Sequence, residues 1–196
     1  MPRPRKSQRP EPPPGVAERG ADYVQSFAPS LGAHCHTLIL GSMPGVASLA
    51  AVQYYAHPQN LFWPLMQALY AVPRELPYAQ RLARLHEAGV GLWDVLQGCE
   101  RRGSLDSAIT RVSEVPNAIA ELLLQRSQIR AVGLNGAKAA QAFRRHVAAH
   151  IPAARKSGLT LLELPSTSPA HASMSRADKL AAWSALRHAA GLDTGA

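Results

Sequence analysis

At 196 residues the chain can bury one substantial core, and no apolar run in it reaches the roughly 18 residues that a membrane span needs. Its 21 Lys and Arg outnumber 13 Asp and Glu, so the net charge of +8 and the pI near 10.1 favour a polyanionic partner over an acidic protein or a neutral metabolite. Cys35 and Cys99 are the only cysteines, which excludes a disulfide framework and a four-thiolate iron–sulfur cluster and fits a reducing cytoplasm.

The N-terminal stretch sets Arg3, Arg5, Lys6 and Arg9 among prolines at 2, 4, 10, 12, 13 and 14, without the apolar core of a secretory signal. That composition cannot offset the entropy of ordering, so residues 1–20 are expected to be a disordered, basic, Pro-rich tail, either a remnant or a DNA-tethering arm. Setting aside those four cations and Glu11 leaves 17 basic against 12 acidic residues, so the body is basic too. Residues 21–193 are expected to form a single domain.

From Tyr23 onward, β-rich runs alternate with helical patterns. Residues 36–41, HTLILG, read as a strand stopping at glycine; residues 60–72, NLFWPLMQALYAV, space their apolar side chains as a helix does; residues 78–89, YAQRLARLHEAG, form a second helix closed by Gly89. VGLWDVL, residues 90–96, reads as a short buried strand, followed by a polar connection, QGCERRGSLDSAI. Then NAIAELLLQRS is a helix, IRAVGLNG a strand into a turn, and AKAAQAFRRHVAAH a helix. LTLLELPSTSPAHAS is the last strand and its loop, and RADKLAAWSALRHAAG the last helix, with Gly191 as its C-cap. Four strands separated by helices predict an α/β fold, a three-layer α/β/α arrangement with a central four-stranded parallel sheet. Ligands of such sheets bind beyond the carboxyl ends of the strands. The unusual residues fall in the loops that follow the strands: GSMPG, DVLQGCERRGSLD, GLNGAK and PSTSPAHAS.

In GSMPG, Gly41, Pro44 and Gly45 surround Ser42 and Met43, so the backbone turns tightly and a base or phosphate can approach its amides without meeting a Cβ; an ordinary strand-to-loop turn has the same composition. Neither GxxxxGK nor GxGxxG occurs there, which argues against nucleotide triphosphate and dinucleotide chemistry. In YYAHPQNLFW, Tyr54 and Tyr55 precede a rigid His57-Pro58 turn, and Asn60 stands just before the helix. Asn60 is either an N-cap for orphan amides or a carboxamide that holds a water by its oxygen and an anion by its NH2, beside an aromatic face suited to a nucleobase. Phe62 and Trp63 point in different directions on a helix, so one is expected in the core and the other toward the cleft.

PSTSPAHAS and the residues after it set Ser166, Thr167, Ser168, Ser173 and Ser175 around two prolines and His171, a stiffened hydroxyl-rich loop of the kind that contacts phosphates. His171 reads equally as structural or catalytic. With no HxxxH or CxxC spacing and no GxSxG elbow, neither zinc nor a hydrolase serine is indicated, and no metal or other cofactor is expected. Gly136 and Lys138 in GLNGAK open a helix, where amides and an ammonium can meet a phosphate or simply face solvent. Arg101 and Arg102 read as a solvated pair, and Asp106 as a helix cap.

In this order and spacing the motifs resemble the uracil-DNA glycosylase superfamily over roughly residues 35–190. GSMPG is similar to its first motif, PSTSPAHAS to its second, and AHPQNLFW to a stretch that mismatch-specific uracil and thymine glycosylases carry between them. GSMPG, YYAHPQN-FW, GSLDSAI and LPSTSPA together most resemble the hypoxanthine (deoxyinosine) DNA glycosylase branch. The resemblance implies a monofunctional DNA glycosylase of base excision repair. Such an enzyme flips deaminated bases out of DNA, hypoxanthine above all, and hydrolyses their N-glycosidic bond without a cofactor, in the cytoplasm at a bacterial or archaeal nucleoid. A monomer is the default expectation. Uracil or broad-spectrum excision, and a noncatalytic DNA-binding member of the fold, are the alternatives.

Several branches carry a water-activating Asp or Asn where this chain has Met43, so the resemblance moves catalysis to Asn60, the Asn of the HPxN segment, with His171 as a second catalytic residue. It assigns the base to Gly41, Ser42, Met43, Pro44, Gly45, Tyr55 and Phe62, with Tyr55 as the stacking face. The second-motif loop is expected to contact DNA through Ser166, Ser168, Pro169, Ala170 and Met174, the last as a minor-groove wedge, and the helix start adds Gly136 and Lys138 from its own chemistry.

Overall fold

A computed structural model describes residues 22–191. The predicted tail over residues 1–20 lies outside the described residues, as do residues 21, 192 and 193 at the margins of the expected domain. In chain order the elements are β1 (Tyr23–Gln25), β2 (Thr37–Gly41), α1 (Val46–Ala51), α2 (Phe62–Tyr70), α3 (Tyr78–Glu87), β3 (Val90–Asp94), β4 (Leu96–Glu100), β5 (Val115–Pro116), α4 (Ile119–Gln125), β6 (Ala131–Asn135), α5 (Ala137–His146), α6 (Ala153–Lys156), β7 (Thr160–Leu164) and α7 (Arg176–Ala189).

The four runs read as strands pair in parallel in the order β3-β2-β6-β7. Central β2 is buried along its whole length, as a parallel strand covered on both faces must be. Its side chains alternate between two cores. Leu38 and Leu40 pack with Ile119, Leu123, Ala139 and Phe143 of α4 and α5, while Ile39 packs with Leu65, Met66, Leu85, Trp183 and Leu186 of α2, α3 and α7. The result is the three-layer α/β/α architecture that the alternating pattern predicts. Among the described residues no helix is long and apolar enough to cross a membrane.

A second sheet departs from the sequence expectation. β1, β4 and β5 form a three-stranded antiparallel sheet, pairing Tyr23 with Glu100 and Leu96 with Pro116, where the sequence suggests only a polar connection. The chain passes from β3 into β4 through Val95 alone, and the amides of Val95 and Leu96 donate to the carbonyls of Gly41 and Ser42 at 2.8 and 3.1 Å. The small sheet thereby props the first residues beyond β2.

Trp183 shows how α7 is held. Fully buried, it meets the Phe62 ring edge-on at 6.1 Å and donates its indole N–H to the Pro165 carbonyl at 2.9 Å. Trp183→Ala should remove about 3–5 kcal/mol of stability through the cavity it leaves, read as a lowered urea midpoint at unchanged slope.

Candidate active site

A cleft of about 640 Å³ opens beyond the carboxyl ends of the parallel strands. The site follows from the topology: the chain leaves β2 for β3 on one side and later returns to β6 on the other, and a crevice forms where the order reverses. The turn after β2, the Tyr55–Asn60 segment, Asp94, the 104–109 loop, the start of α5 and the 166–171 loop all line it.

The GSMPG turn is anchored by its carbonyls. Those of Gly41 and Ser42 accept from Val95 and Leu96, while those of Met43 and Pro44 accept from the guanidinium of Arg101, which is only 3% exposed. Arg101 is thus no solvated surface residue, which corrects the sequence reading; only Arg102 is on the surface, bonded to Asp22 at 2.7 Å. In a planar trans peptide the N–H points opposite the C=O, so the amides of Ser42, Met43 and Gly45 are aimed away from these anchors. Glycine at 41 leaves room for the Asp94 carboxyl, since a Cβ there would lie 2.5 Å from Asp94 Oδ1 and force it to shift.

Asn60 lines the cleft and also starts α2: its Oδ1 accepts the Phe62 N–H at 2.9 Å. The helix N-cap itself is Leu61, so Asn60 supports the start of α2 from one residue further out, and its NH2 is left out of that bond. Tyr55 lines the cleft as well, with a left-handed backbone (φ 56°) that a bulky residue adopts only under constraint from its surroundings. Its ring stacks on Phe62, centroids 3.8 Å apart and planes 16° apart. Phe62 itself is fully buried and does not line the cleft, so the expectation that it touches a base is corrected: it backs Tyr55. Trp63 is buried too, its indole donating to the Tyr54 carbonyl, so neither member of the pair faces the cleft.

Thr167, 1% exposed, ties the walls together. Its N–H and hydroxyl bond the Asn135 carboxamide at the end of β6, and its carbonyl accepts the Leu61 N–H beside Asn60 at 3.0 Å. The adjoining loop keeps its own shape: Ser166 Oγ accepts the Ser168 N–H, Ser168 Oγ accepts the Ala170 N–H, and the His171 N–H donates to the Ser168 carbonyl. The buried Lys179 ammonium holds the His171 carbonyl at 2.6 Å, leaving the ring Nδ1 of His171 buried without a partner among the described residues. Ser166, Ser168, Pro169, Ala170 and His171 all line the cleft. Ser175 instead caps α7, accepting the Asp178 N–H, and Met174 stands outside the cleft wall, partly exposed on the loop before it.

Gly136 adopts φ +94° at the start of α5, against Ser166. Lys138 lines the cleft, but its ammonium is committed: Glu114, whose side chain is fully buried, takes hydrogen bonds from Lys138 at 2.6 Å and from Arg145 and His146 at 2.7 Å. Burial alone would push that carboxyl up; the donors from Lys138, His146 and Arg145 outweigh it and hold it at about 2. The expectation of a Lys138 ammonium free for phosphate is corrected accordingly.

Two acidic residues of the cleft are given no site role by the sequence reading. Asp94, the last residue of β3, is 3% exposed, lines the cleft, and has an Oδ2 with no partner among the described residues. Asp106, expected as a helix cap, instead accepts a 2.6 Å hydrogen bond from the Ser42 hydroxyl across the cleft. Burial first, and the neighbouring Asp106 charge second, push the Asp94 carboxyl up to about 8 against a smaller opposing pull from Arg101; burial also raises Asp106, opposed by the Ser42 hydroxyl. Asp106 lies within the GSLDSAI stretch that contributes to the family resemblance, whereas Asp94 is marked only as the acid at the end of an apolar run.

A carboxyl whose folded pKa lies above its ordinary 3.8 takes up a proton on folding, so the stability linked to neutral Asp94 is whole below about 4 and is lost as pH rises toward about 8. Asp94→Asn removes that titration. The variant should gain several degrees of melting temperature over the wild type at pH 9 compared with the difference at pH 5; equal differences at both would mean that Asp94 ionises freely.

The comparisons with known proteins agree with the geometry. The family model of the uracil DNA glycosylase superfamily matches residues 29–187. A Methanosarcina acetivorans protein named hypoxanthine DNA glycosylase is 32% identical over 166 residues, 84% of this chain and 98% of that protein. A Methanosarcina barkeri protein of the same name is 34% identical over 118 residues, 60% of this chain and 73% of that one. A uracil DNA glycosylase-like protein from Methanosarcina acetivorans, solved by solution NMR, superposes with a TM-score of 0.70 at 30% identity, covering 85% of this chain and 98% of the other. With the family matched over most of its length and the fold shared, this chain belongs to the uracil DNA glycosylase superfamily.

Proposed function

We propose that this chain is a monofunctional, monomeric DNA glycosylase that hydrolyses the N-glycosidic bond of deaminated bases, deoxyinosine first, after flipping the nucleotide out of the duplex. The observation that carries the reading is that Asn60, the GSMPG turn and the 166–171 loop meet at one cleft, about 640 Å³ in volume, with ample room for an everted purine nucleotide. The two similar proteins named hypoxanthine DNA glycosylase favour hypoxanthine over uracil.

Extrusion costs a few kcal/mol of unstacking, less for a poorly paired lesion. Tyr55, stiffened by Phe62 behind it, offers a flat face to the base, and the amides of Ser42, Met43 and Gly45 meet its polar edge. Cleavage passes through an oxocarbenium-like sugar as negative charge moves onto the purine. Asn60 spends one lone pair on the Phe62 amide; its second lone pair and its NH2 hold the attacking water and steady the transition state. The His171 ring acts near the sugar or its phosphate, while Ser166, Ser168, Pro169 and Ala170 form the lip that lies on the backbone, with Met174 as wedge. A lyase step needs a free amine nucleophile, and the ammonium groups of Lys138 and Lys179 are held by Glu114 and the His171 carbonyl.

Duplexes carrying inosine, xanthine or uracil, incubated with the protein and then treated with alkali, should break at inosine most. Salt-sensitive binding with no alkali-labile site on any of them would make the protein a binding module instead. Asn60→Ala and Asn60→Ser should each lose roughly 100- to 1,000-fold in single-turnover rate, about 2.7–4 kcal/mol. Serine keeps an acceptor for the Phe62 amide, so a wild-type rate in Asn60→Ser would reduce Asn60 to a helix cap. His171→Ala should lose less than either.

A further inference from the structure

Hypoxanthine leaves the sugar poorly as an anion, and none of the residues assigned so far gives it a proton. One group in the cleft is built to do so. Asp94 is nearly inaccessible to bulk water, stands on the cleft wall at the end of β3, and keeps an oxygen without a partner among the described residues. Its surroundings are specific. Arg101 behind the turn is the buried cation nearest in influence, and Asp106 from the 104–109 loop is a second carboxyl facing the same space. Tyr54 and Tyr55 flank it from the segment before α2, with Tyr78 from α3 beyond them, and the Tyr55 hydroxyl interacts with the Asn135 side chain. One guanidinium cannot compensate two carboxylates in a dry site, and Asp106 already has the Ser42 hydroxyl to support its charge. The proton therefore resides on Asp94, and burial raises that carboxyl far above its ordinary range.

We propose that Asp94 is a general acid of this cleft, delivering its proton to an acceptor on the departing purine. This rests on the glycosylase reading above and adds to it the way the leaving group is neutralised. In the step, the C1′–N9 bond breaks and its electron pair goes to the purine, which takes the Asp94 proton and leaves as neutral hypoxanthine. Water adds to C1′, its surplus proton passes to bulk water, and Asp94 recovers a proton when the purine leaves. The sum is one water consumed, one free base and one abasic sugar formed. Gly41 serves the same arrangement, since any side chain there would push the Asp94 carboxyl out of place. The pairing of two carboxyls held in opposite protonation states is a general route to acid catalysis at neutral pH.

The experiment is the pH dependence of single-turnover cleavage of an inosine duplex by the wild type and by Asp94→Asn, with thermal melting to verify that both are folded. The wild-type rate should be level below about pH 8 and fall about tenfold per unit above it. Asp94→Asn, nearly the same shape but unable to release a proton, should be at least roughly 100-fold slower at pH 6.5 and show no alkaline fall. A wild-type rate that does not fall above pH 8 overturns the proposal, as does a folded variant that keeps most of the rate. A fall that persists in Asp94→Asn belongs to the purine itself and overturns it as well. Wild-type protein that leaves every lesion duplex intact refutes the glycosylase reading rather than the role of Asp94 within it.

Discussion

A single buried guanidinium governs the cleft. Arg101, just beyond the end of β4, the central strand of the small antiparallel sheet, donates to the Met43 and Pro44 carbonyls and so holds the far half of the turn after β2. The same cation sets the local charge balance. Moving it out of water is costly, and the cost is recovered only through the carbonyls it satisfies and the acidic groups in its field, Asp94 and Asp106. Backbone shape at the first motif and the protonation of the nearby carboxyls are thus one electrostatic problem with one solution.

The opposite wall depends on Thr167 in a similar way. Through the Asn135 carboxamide on one side and the Leu61 amide on the other, it couples the end of β6, the start of α2 and the serine-rich loop, so that Asn60 cannot shift without disturbing His171. Both walls are therefore held by groups that themselves have little exposure to solvent, and the residues facing the cleft inherit their positions from them. Tyr55 is held by an equivalent logic, its left-handed backbone stabilised by the stack on Phe62.

The parallel sheet was legible because β2, β3 and β6 are short, mainly apolar runs buried along their whole length, β2 and β6 end at a glycine and an asparagine, β7 runs into Pro165, and the helices between them have an apolar stripe. The small sheet was not, because β1 and β5 are only three and two residues long and β4 mixes Leu96 with Gln97, Gly98 and Glu100. Their pairing is decided by partners far apart in the chain, such as Tyr23 and Glu100, and no local pattern encodes that. In the cleft, the GSMPG turn, Asn60 and the second-motif loop stand out by composition. Asp94 and Arg101 do not, since an acid after an apolar run and a base in a polar stretch look like ordinary surface residues until burial is known. Phe62 failed for a related reason: helical spacing separates it from Trp63 but does not say that both directions are covered.

The cluster around Glu114 has a consequence for how the protein meets a polyelectrolyte. Lys138 and Arg145 both lie on α5, Lys138 at the cleft, yet one carboxylate, held ionised down to about 2, already serves as counterion to the two. On the glycosylase reading proposed above, a duplex docking there would find less charge on these side chains and release fewer condensed ions than their number implies. The dependence of affinity on ionic strength would then be shallower than the surplus of eight positive charges suggests, and on the same reading discrimination between damaged and intact DNA would rely more on the fit of the cleft than on attraction to the backbone.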